Sequence, residues 1–466
     1  MRAQNGPYLA SEIARACKGI LLCGSLDTAF HGISTDSRDI RTNDLFVPLK
    51  GTSFDGHDFL FPALEAGARG ALTHRDVTRE IHNKLSNHVL IQVQDTLLAL
   101  SDIASAHRIT HPTPLIAVTG SSGKTTVKEM IAAVLGRSHR PLVSQANFNN
   151  MIGLPMTVLN LGPEHTVAVV EAGINQPGEM DHLARAASPD VAVITTVGPV
   201  HLEGLGTIEN VAREKFKLVQ ALRSQGVAVL PADNPHLALL LGDCPCRVVT
   251  FGIERGDFRA SNVKLGDEPL FEMITPSGNR SIKLRIPGLH NVANALAAAA
   301  AAMAVGSTLD DVADGLSELA PPTWRMEILP LRGNRKLIRD CYNANPQSVK
   351  AALEVLAQNS TDASTLAILG DMAELGKNAD ELHQAVGREA ARLGISRLIF
   401  VGDYGRSFSR GFISGGGDER SLTLVPDKEA AWDILGSEIG RFGMILVKGS
   451  RVMKMELIAN RILEEN

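Results

Sequence analysis

Down the middle of the chain, runs of five to seven apolar residues alternate with stretches rich in Ala, Glu, Lys and Leu. LIAVT (115–119), VAVVEA (167–172), VAVITTV (191–197) and GVAVLP (226–231) read as strands, and the stretches between them as helices. Continuous apolar strands alternating with helices predict a parallel sheet covered on both faces. A shorter, more polar β-like section (246–287) follows, and then ALAAAAAAMAV (295–305), which reads as a tightly packed internal helix. The proline-laden APPTWRMEILP (320–330) marks a boundary. Beyond it KLIRD (336–340), TLAILG (365–370), RLIFVG (397–402) and GMILVKG (443–449) predict a second open α/β sheet. PTP at 112–114 marks an earlier boundary, since proline disfavours both helix and central strand. Ahead of it DLFVPLKG (44–51) reads as a strand ending at a glycine, and FLFPALEAGARGAL (59–72) as a helix, turn and strand. For 466 residues, at roughly 100–200 per domain, the expectation is an α/β chain of three domains. They are a mixed α/β N-terminal domain (1–112), a central parallel-sheet domain (113–322) and a C-terminal open α/β, Rossmann-like domain (323–466).

Composition narrows the classes of function. A formal net charge of -5 offers no electrostatic footprint for nucleic acid or an acidic membrane, so neither nucleic-acid binding nor membrane insertion is expected. An anionic small substrate remains compatible, because a local site needs only a few basic groups. No apolar run reaches the roughly 20 residues of a membrane span, and the N-terminus shows no export signal. The five cysteines (Cys17, Cys23, Cys244, Cys246 and Cys341) are scattered, and Cys244-Pro-Cys246 fits neither a zinc knuckle nor a redox CxxC. A cytoplasmic setting and a monomer are expected.

The first chemistry appears in LIAVTGSSGKTTVKEM (115–130). A strand stops at Thr119, Gly120 and Gly123 allow backbone conformations that aim successive N–H groups inward, and Ser121 and Ser122 lie between them. A helix opening near Lys124 adds its positive end. Lys124 can reach the outer phosphates, and the Thr125 hydroxyl, followed by Thr126, is placed to ligate Mg²⁺. The general pattern has a glycine where Val118 stands. On these residues alone the central domain is a phosphate-loop ATPase or GTPase whose reaction is open.

TGSSGKTT resembles the contracted phosphate loop of the Mur ligase family, ATP-dependent amide-forming enzymes of peptidoglycan precursor synthesis. STDSRDI (34–40) with DLFVPLKGTSFDGHDF (44–59) is similar to the uridine-nucleotide-binding domain of the later-acting members. NFNNMIGLP (147–155), EAGINQPGEM (171–180) and HLEGLGTIENVAREK (201–215) resemble central-domain landmarks. LHNVANALAA (289–298), WRME (324–327) and DCYNANPQS (340–348) resemble segments that contact the nucleotide, while GDMAELG (370–376) and VKGSR (447–451) most resemble the last ligase of the set.

The resemblance implies ATP, two Mg²⁺ ions, and UDP-N-acetylmuramoyl-tripeptide and D-alanyl-D-alanine as the molecules joined. It makes Glu171, His201, Lys215 and Thr125 metal ligands, with Lys215 carbamylated by CO₂ and Lys124 on the phosphates. Asn294 is implied at the adenine, Arg325 near the phosphates, Asp340 at the ribose, and Tyr342, Asn343 and Asn345 beside it. Ser37, Arg38, Lys50 and Gly51 are the candidates to hold the uridine nucleotide, and Asn149 is a candidate substrate contact. Joining a carboxylate to an amine requires activation, and phosphorylation to an acyl phosphate supplies it; catalysis is then mostly positioning and charge neutralisation. Taken without the resemblance, Glu171 reads equally as a helix cap, His201 as a solvated histidine, Lys215 as one more lysine on an amphipathic helix, and Asn294 as a satisfied core amide. Lys215 also has Arg213 and Lys217 as neighbours, which spacing does not separate from it. Two other readings compete: the preceding ligase, which adds a diamino acid or lysine and carries a DNPR-like motif where this chain has GDMAELG, and a phosphate-loop nucleotide switch.

Overall fold

The computed structural model describes residues 2–51, 53–78, 85, 87–359 and 364–465. Among these residues the strands gather into three principal sheets, of six, nine and six strands, in chain order.

The central sheet runs in the order Pro141–Val143, Val167–Glu171, Leu115–Thr119, Val191–Ile194, Val227–Pro231, Arg247–Gly252, Phe258–Lys264, Leu270–Thr275 and Gly278–Lys283. Its first seven strands are parallel and its last two antiparallel. The parallel strands are apolar because helices cover both faces. The polar section extends the same sheet instead, with one side of Leu270–Thr275 buried and the other toward water. Strand Leu115–Thr119 lies between the strands that precede and follow the reversal of order. Its carboxyl end is therefore a topological switch point, where open α/β sheets place ligands. Short Pro141–Val143 is not visible in the hydrophobic pattern; its proline is tolerated at the start of an edge strand.

The C-terminal sheet has the order Glu327–Leu331, Arg335–Arg339, Met444–Lys448, Thr365–Gly370, Arg397–Val401 and Leu422–Val425. All neighbours are parallel except the first pair. The end of APPTWRMEILP thus forms an edge strand as well as a connection, and Pro330 sits at the edge, where a missing N–H costs least. In the N-terminal sheet, Gly32–Ser34, Asp44–Phe46, Gly70–Thr73 and Val89–Gln92 are parallel, flanked by antiparallel Arg2–Ala3 and Ile20–Cys23. DLFVPLKG is strand only at Asp44–Phe46, and Lys50 pairs again only in an isolated bridge to Asp55.

One apolar core is shared by the N-terminal and central lobes and another by the central and C-terminal lobes. Tyr8 donates to the Leu159 carbonyl at 2.8 Å and Arg108 pairs with Asp190 at 2.8 Å, fixing the first junction. The alanine-rich stretch lies in helix Leu289–Ala304, and Ala295–Ala302 are buried without exception. Small side chains let this helix pack closely on Lys124–Leu135, the helix that follows the phosphate loop. On that helix's other flank lies Leu309–Glu318, where a Cβ on Gly315 would stand 2.6 Å from Val134 Cα. Gly315→Val forces the two helices apart, and overpacking of this kind costs about 1–3 kcal/mol. The expected outcome is a lower thermal midpoint for the variant, while Gly436→Ala, inside helix Lys428–Glu438 with open space around it, keeps or slightly raises the midpoint.

Candidate active site

The phosphate loop is held from behind before anything binds in front. Gly120 has φ +152 and Gly123 φ +81; a Cβ on Gly120 would stand 1.9 Å from Thr195 Oγ1 and one on Gly123 2.6 Å from Asn294 Oδ1. Thr195 donates to the Ser122 carbonyl at 2.5 Å, and Ser121 Oγ exchanges hydrogen bonds with the backbone of Gly198 at 3.1 and 3.0 Å. Helix Lys124–Leu135 starts at Gly123, presenting its free N–H groups and positive end to the loop. Lys124 Nζ folds back to donate to the Gly120 carbonyl at 2.9 Å. Burial lowers its pKa, and the nearby Glu171 opposes that shift.

Thr125 Oγ1 donates to Glu171 Oε2 at 2.7 Å and accepts from Arg325 at 2.9 Å. Glu171 ends strand Val167–Glu171 and is 2% exposed. Its second oxygen accepts from Asn149 at 2.7 Å, so the Asn149 amide lines the cleft while engaged by this carboxylate. Arg325 comes from the C-terminal lobe and lies over the Tyr342 ring, 4.0 Å from its centroid. His201, at φ +51, turns Nδ1 to a carboxylate oxygen of Glu374, also from the C-terminal lobe.

On helix Ile208–Gln220 the structure separates the three basic candidates. Arg213 is exposed, and Lys217 pairs with Asp181 and Glu214, each at 2.8 Å. Lys215 is fully buried, and its Nζ has no hydrogen-bond partner among the described residues. Burial drives its pKa well below the ordinary lysine value, and the Lys124 charge pushes the same way.

A cleft of about 810 Å³ joins these groups to the C-terminal lobe. Ser121, Ser122, Gly123, Lys124, Thr125, Thr126, Asn149, Glu171, His201, Asn294, Arg325, Asp340, Tyr342, Asn343 and Asn345 all line it. Gly120 lies just behind, and Lys215 is buried outside the lining. Asn294 donates to Asn291 Oδ1 at 2.9 Å, which fixes its amide beside Gly123. Asp340 follows strand Arg335–Arg339 and pairs with Lys448 at 2.6 Å. Asn345 caps helix Pro346–Gln358 and donates to the Ser121 carbonyl at 3.3 Å. The C-terminal lobe therefore touches the phosphate loop and its surroundings through Arg325, Asn345 and Glu374.

Ser37, Arg38, Lys50 and Gly51 do not line this cleft. They follow the carboxyl ends of the adjacent parallel strands Gly32–Ser34 and Asp44–Phe46, and the exposed Arg38 side chain is paired with Asp36 at 2.8 Å. At the same sheet end Asp55, His57 and His74 come together. His57 Nδ1 bonds Asp55 at 2.7 Å and Nε2 accepts from the His74 N–H at 3.3 Å, while Arg75 takes the other Asp55 oxygen at 2.7 Å. With both ring nitrogens of His57 engaged and Arg75 also held by Asp58 at 2.9 Å, this cluster is an internal polar network.

Lys448 and Glu374 are cleft residues that the sequence reading quoted inside motifs without a role. A structural cue was available for both: each stands at or just beyond the carboxyl end of a C-terminal strand, Met444–Lys448 or Thr365–Gly370, where open sheets carry their sites.

Three family models match: Mur ligase family, catalytic domain, over residues 29–108; Mur ligase middle domain, over 118–302; and Mur ligase, glutamate ligase domain, over 324–451. The chain is 37% identical over 456 residues to the UDP-N-acetylmuramoyl-tripeptide--D-alanyl-D-alanine ligase of Bacillus subtilis, covering 97% of this chain and 98% of that protein. The crystal structure of MurF from Acinetobacter baumannii superposes with a TM-score of 0.89 at 31% identity, over 99% of both chains. MurF ligase from Thermotoga maritima in complex with ADP superposes at 0.82 with 25% identity, over 93% of this chain and 97% of that one.

The ion pair inside the cleft makes a stability prediction. Lys448 is 2% exposed, so Asp340→Ala leaves a buried ammonium without its carboxylate, a loss of about 3–5 kcal/mol. Thermal unfolding is expected to show a marked drop for Asp340→Ala and substantial recovery in Asp340→Ala/Lys448→Met.

Proposed function

The chain belongs to the Mur ligase family, and on that footing we propose how its cleft carries out the family's chemistry. The protein is an ATP-dependent ligase that joins D-alanyl-D-alanine to UDP-N-acetylmuramoyl-tripeptide. The tripeptide carboxylate oxygen bonds to the γ-phosphorus of ATP as the bond to ADP breaks. The dipeptide ammonium gives one proton to solvent, the resulting amine bonds to the carbonyl carbon, phosphate leaves with that oxygen, and a second proton passes from nitrogen to solvent.

The observation that carries the division of roles is the Thr125 hydroxyl, shared between Glu171 of the central sheet and Arg325 of the C-terminal lobe. Lys124 and the loop N–H groups receive the β- and γ-phosphates, and Arg325 adds a second positive charge once the lobe is docked. Asn294 contacts the adenine and Asp340 the ribose, flanked by Tyr342, Asn343 and Asn345. Docking over the loop also excludes the water that would hydrolyse an acyl phosphate. Thr125 Oγ1, the Glu171 carboxylate and the free Nε2 of His201 fit a hard divalent cation, and Mg²⁺ there would neutralise phosphate charge. Lys215 fits the second site: burial without a partner among the described residues favours the neutral amine, and a neutral amine adds to CO₂ to give an anionic carbamate.

The uridine nucleotide is assigned to the loops after Gly32–Ser34 and Asp44–Phe46, through Ser37, Arg38, Lys50 and Gly51, with Arg75 as a further cation at that sheet end. The three lobes correspond to domains 1–112, 113–322 and 323–466. The proposed working unit is a monomer. Dependence on ATP and a nucleotide-linked substrate supports a cytoplasmic setting, and among the described residues no helix is long and apolar enough to cross a membrane.

Purified protein with ATP, Mg²⁺ and UDP-N-acetylmuramoyl-tripeptide is expected to release phosphate in proportion to added D-alanyl-D-alanine. Release independent of the dipeptide favours a nucleotide switch, and release driven by a diamino acid favours the preceding ligase. Lys215→Met removes a buried polar atom that nothing satisfies, so its thermal midpoint is expected to equal or exceed that of the parent. Ligase activity is expected to vanish in Lys215→Met and in Lys215→Ala, to stay absent in high bicarbonate, and to return partly with a short carboxylic acid only in Lys215→Ala, whose smaller side chain leaves room for it. Full activity in Lys215→Met contradicts the carbamate role.

A further inference from the structure

The incoming dipeptide carries an ammonium, and the C-terminal lobe must offer it an anion close to the phosphate loop. That lobe turns three carboxylates toward the cleft: Asp340, Glu354 and Glu374. Asp340 is neutralised by Lys448 at 2.6 Å, and Glu354 lies in the field of Arg392. Glu374 differs from both. One of its oxygens meets His201, the other has no hydrogen-bond partner among the described residues, and its side chain is 51% exposed to the cleft. It lies close enough to Lys124 for each charge to act on the other, so a group bound there stands beside the phosphate loop.

The backbone beneath Glu374 is fixed from three sides. Met372 N–H donates to His383 Nε2 at 3.0 Å, Ala373 N–H donates to Ser450 Oγ at 2.8 Å, and the Glu374 carbonyl accepts from Glu203 N–H at 3.3 Å. Glu374 itself has φ +63, a left-handed conformation that costs a non-glycine residue about 1–3 kcal/mol and persists only where surroundings impose it. A solvated surface glutamate has no need of such a mounting. It holds a carboxylate with an open oxygen at the meeting of two lobes, in the electrostatic field of the phosphate-loop lysine.

We propose that Glu374 is the residue that receives the ammonium of D-alanyl-D-alanine and holds its nitrogen toward the activated carboxylate. This rests on the ligase reading above. His201 Nδ1 keeps one oxygen in place while the ammonium takes the other, so the amine is delivered only when the C-terminal lobe is docked on the residues 201–203.

The test uses the full enzyme with UDP-N-acetylmuramoyl-tripeptide and a non-hydrolysable ATP analogue, titrated with two probes: D-alanyl-D-alanine and D-lactyl-D-alanine, in which a hydroxyl replaces the amine. A hydrogen bond to a charged group is worth roughly tenfold to a hundredfold in affinity. Glu374→Gln is expected to lose that factor for D-alanyl-D-alanine and under twofold for D-lactyl-D-alanine, with the nucleotide affinity kept and Glu374→Asp recovering part of the loss. An equal loss for both probes overturns the proposal. So does a loss of Mn²⁺ affinity, read by the electron spin resonance of the bound ion, with dipeptide binding intact; that pattern makes Glu374 a support for His201 only. Dipeptide-independent phosphate release by the parent enzyme instead refutes the ligase reading, and the two failures are distinguishable.

Discussion

The site is organised around one hydroxyl. Thr125 Oγ1 has one proton to give and lone pairs to receive, and it uses them on Glu171 and Arg325. Glu171 ends a central-sheet strand and Arg325 lies in the turn before the first strand of the C-terminal sheet, more than 150 positions away in the chain, so this hydroxyl registers the C-terminal lobe against the phosphate loop. Two anions, a triphosphate and a carboxylate, must meet where water is scarce. In the proposed function one residue, Arg325, is both the cover of the site and its second positive charge.

Four lysines with deeply placed ammonium groups show how burial sorts function from structure. Lys128 donates to the Ser144 carbonyl at 2.6 Å and meets Glu129 at 2.8 Å. Lys448 has Asp340 and the Asn343 carbonyl, and Lys124 has the Gly120 carbonyl. Lys215 alone of these four has no hydrogen-bond partner among the described residues. Leaving a buried polar atom unsatisfied costs free energy that a core lysine placed for packing would shed by substitution to methionine or leucine. In the proposed function the missing partner is supplied by modification to a carbamate, and the burial that lowers the lysine pKa favours the neutral amine such a modification requires.

Much of this was legible from residues alone. The phosphate loop was, because its glycines and its strand-before, helix-after context have one physical use; so were the parallel strands, because burial on both faces leaves an unbroken apolar run. The strands Pro141–Val143 and Glu327–Leu331 were not, since a short edge strand and a proline-containing one carry the same signals as turns. Lys215 stood level with Arg213 and Lys217 in the sequence, and only three-dimensional burial separates them. Glu374 and Lys448 have meaning only through partners far away in the chain: His201 of the central lobe, 173 positions away, and Asp340 of the neighbouring strand end in the same lobe, 108 positions away. Asn149, read as a substrate contact, proves to be engaged by Glu171, a pairing that no local pattern encodes.

The central claim is that this cleft transfers a phosphoryl group to the tripeptide carboxylate before the amide forms. Ligation of tripeptide labelled with ¹⁸O in its reacting carboxylate tests it directly. The account predicts that each released phosphate carries one labelled oxygen, because the carboxylate oxygen bonded to phosphorus leaves with it. Phosphate released without the label, with the label retained in the amide product or lost to water, contradicts the account.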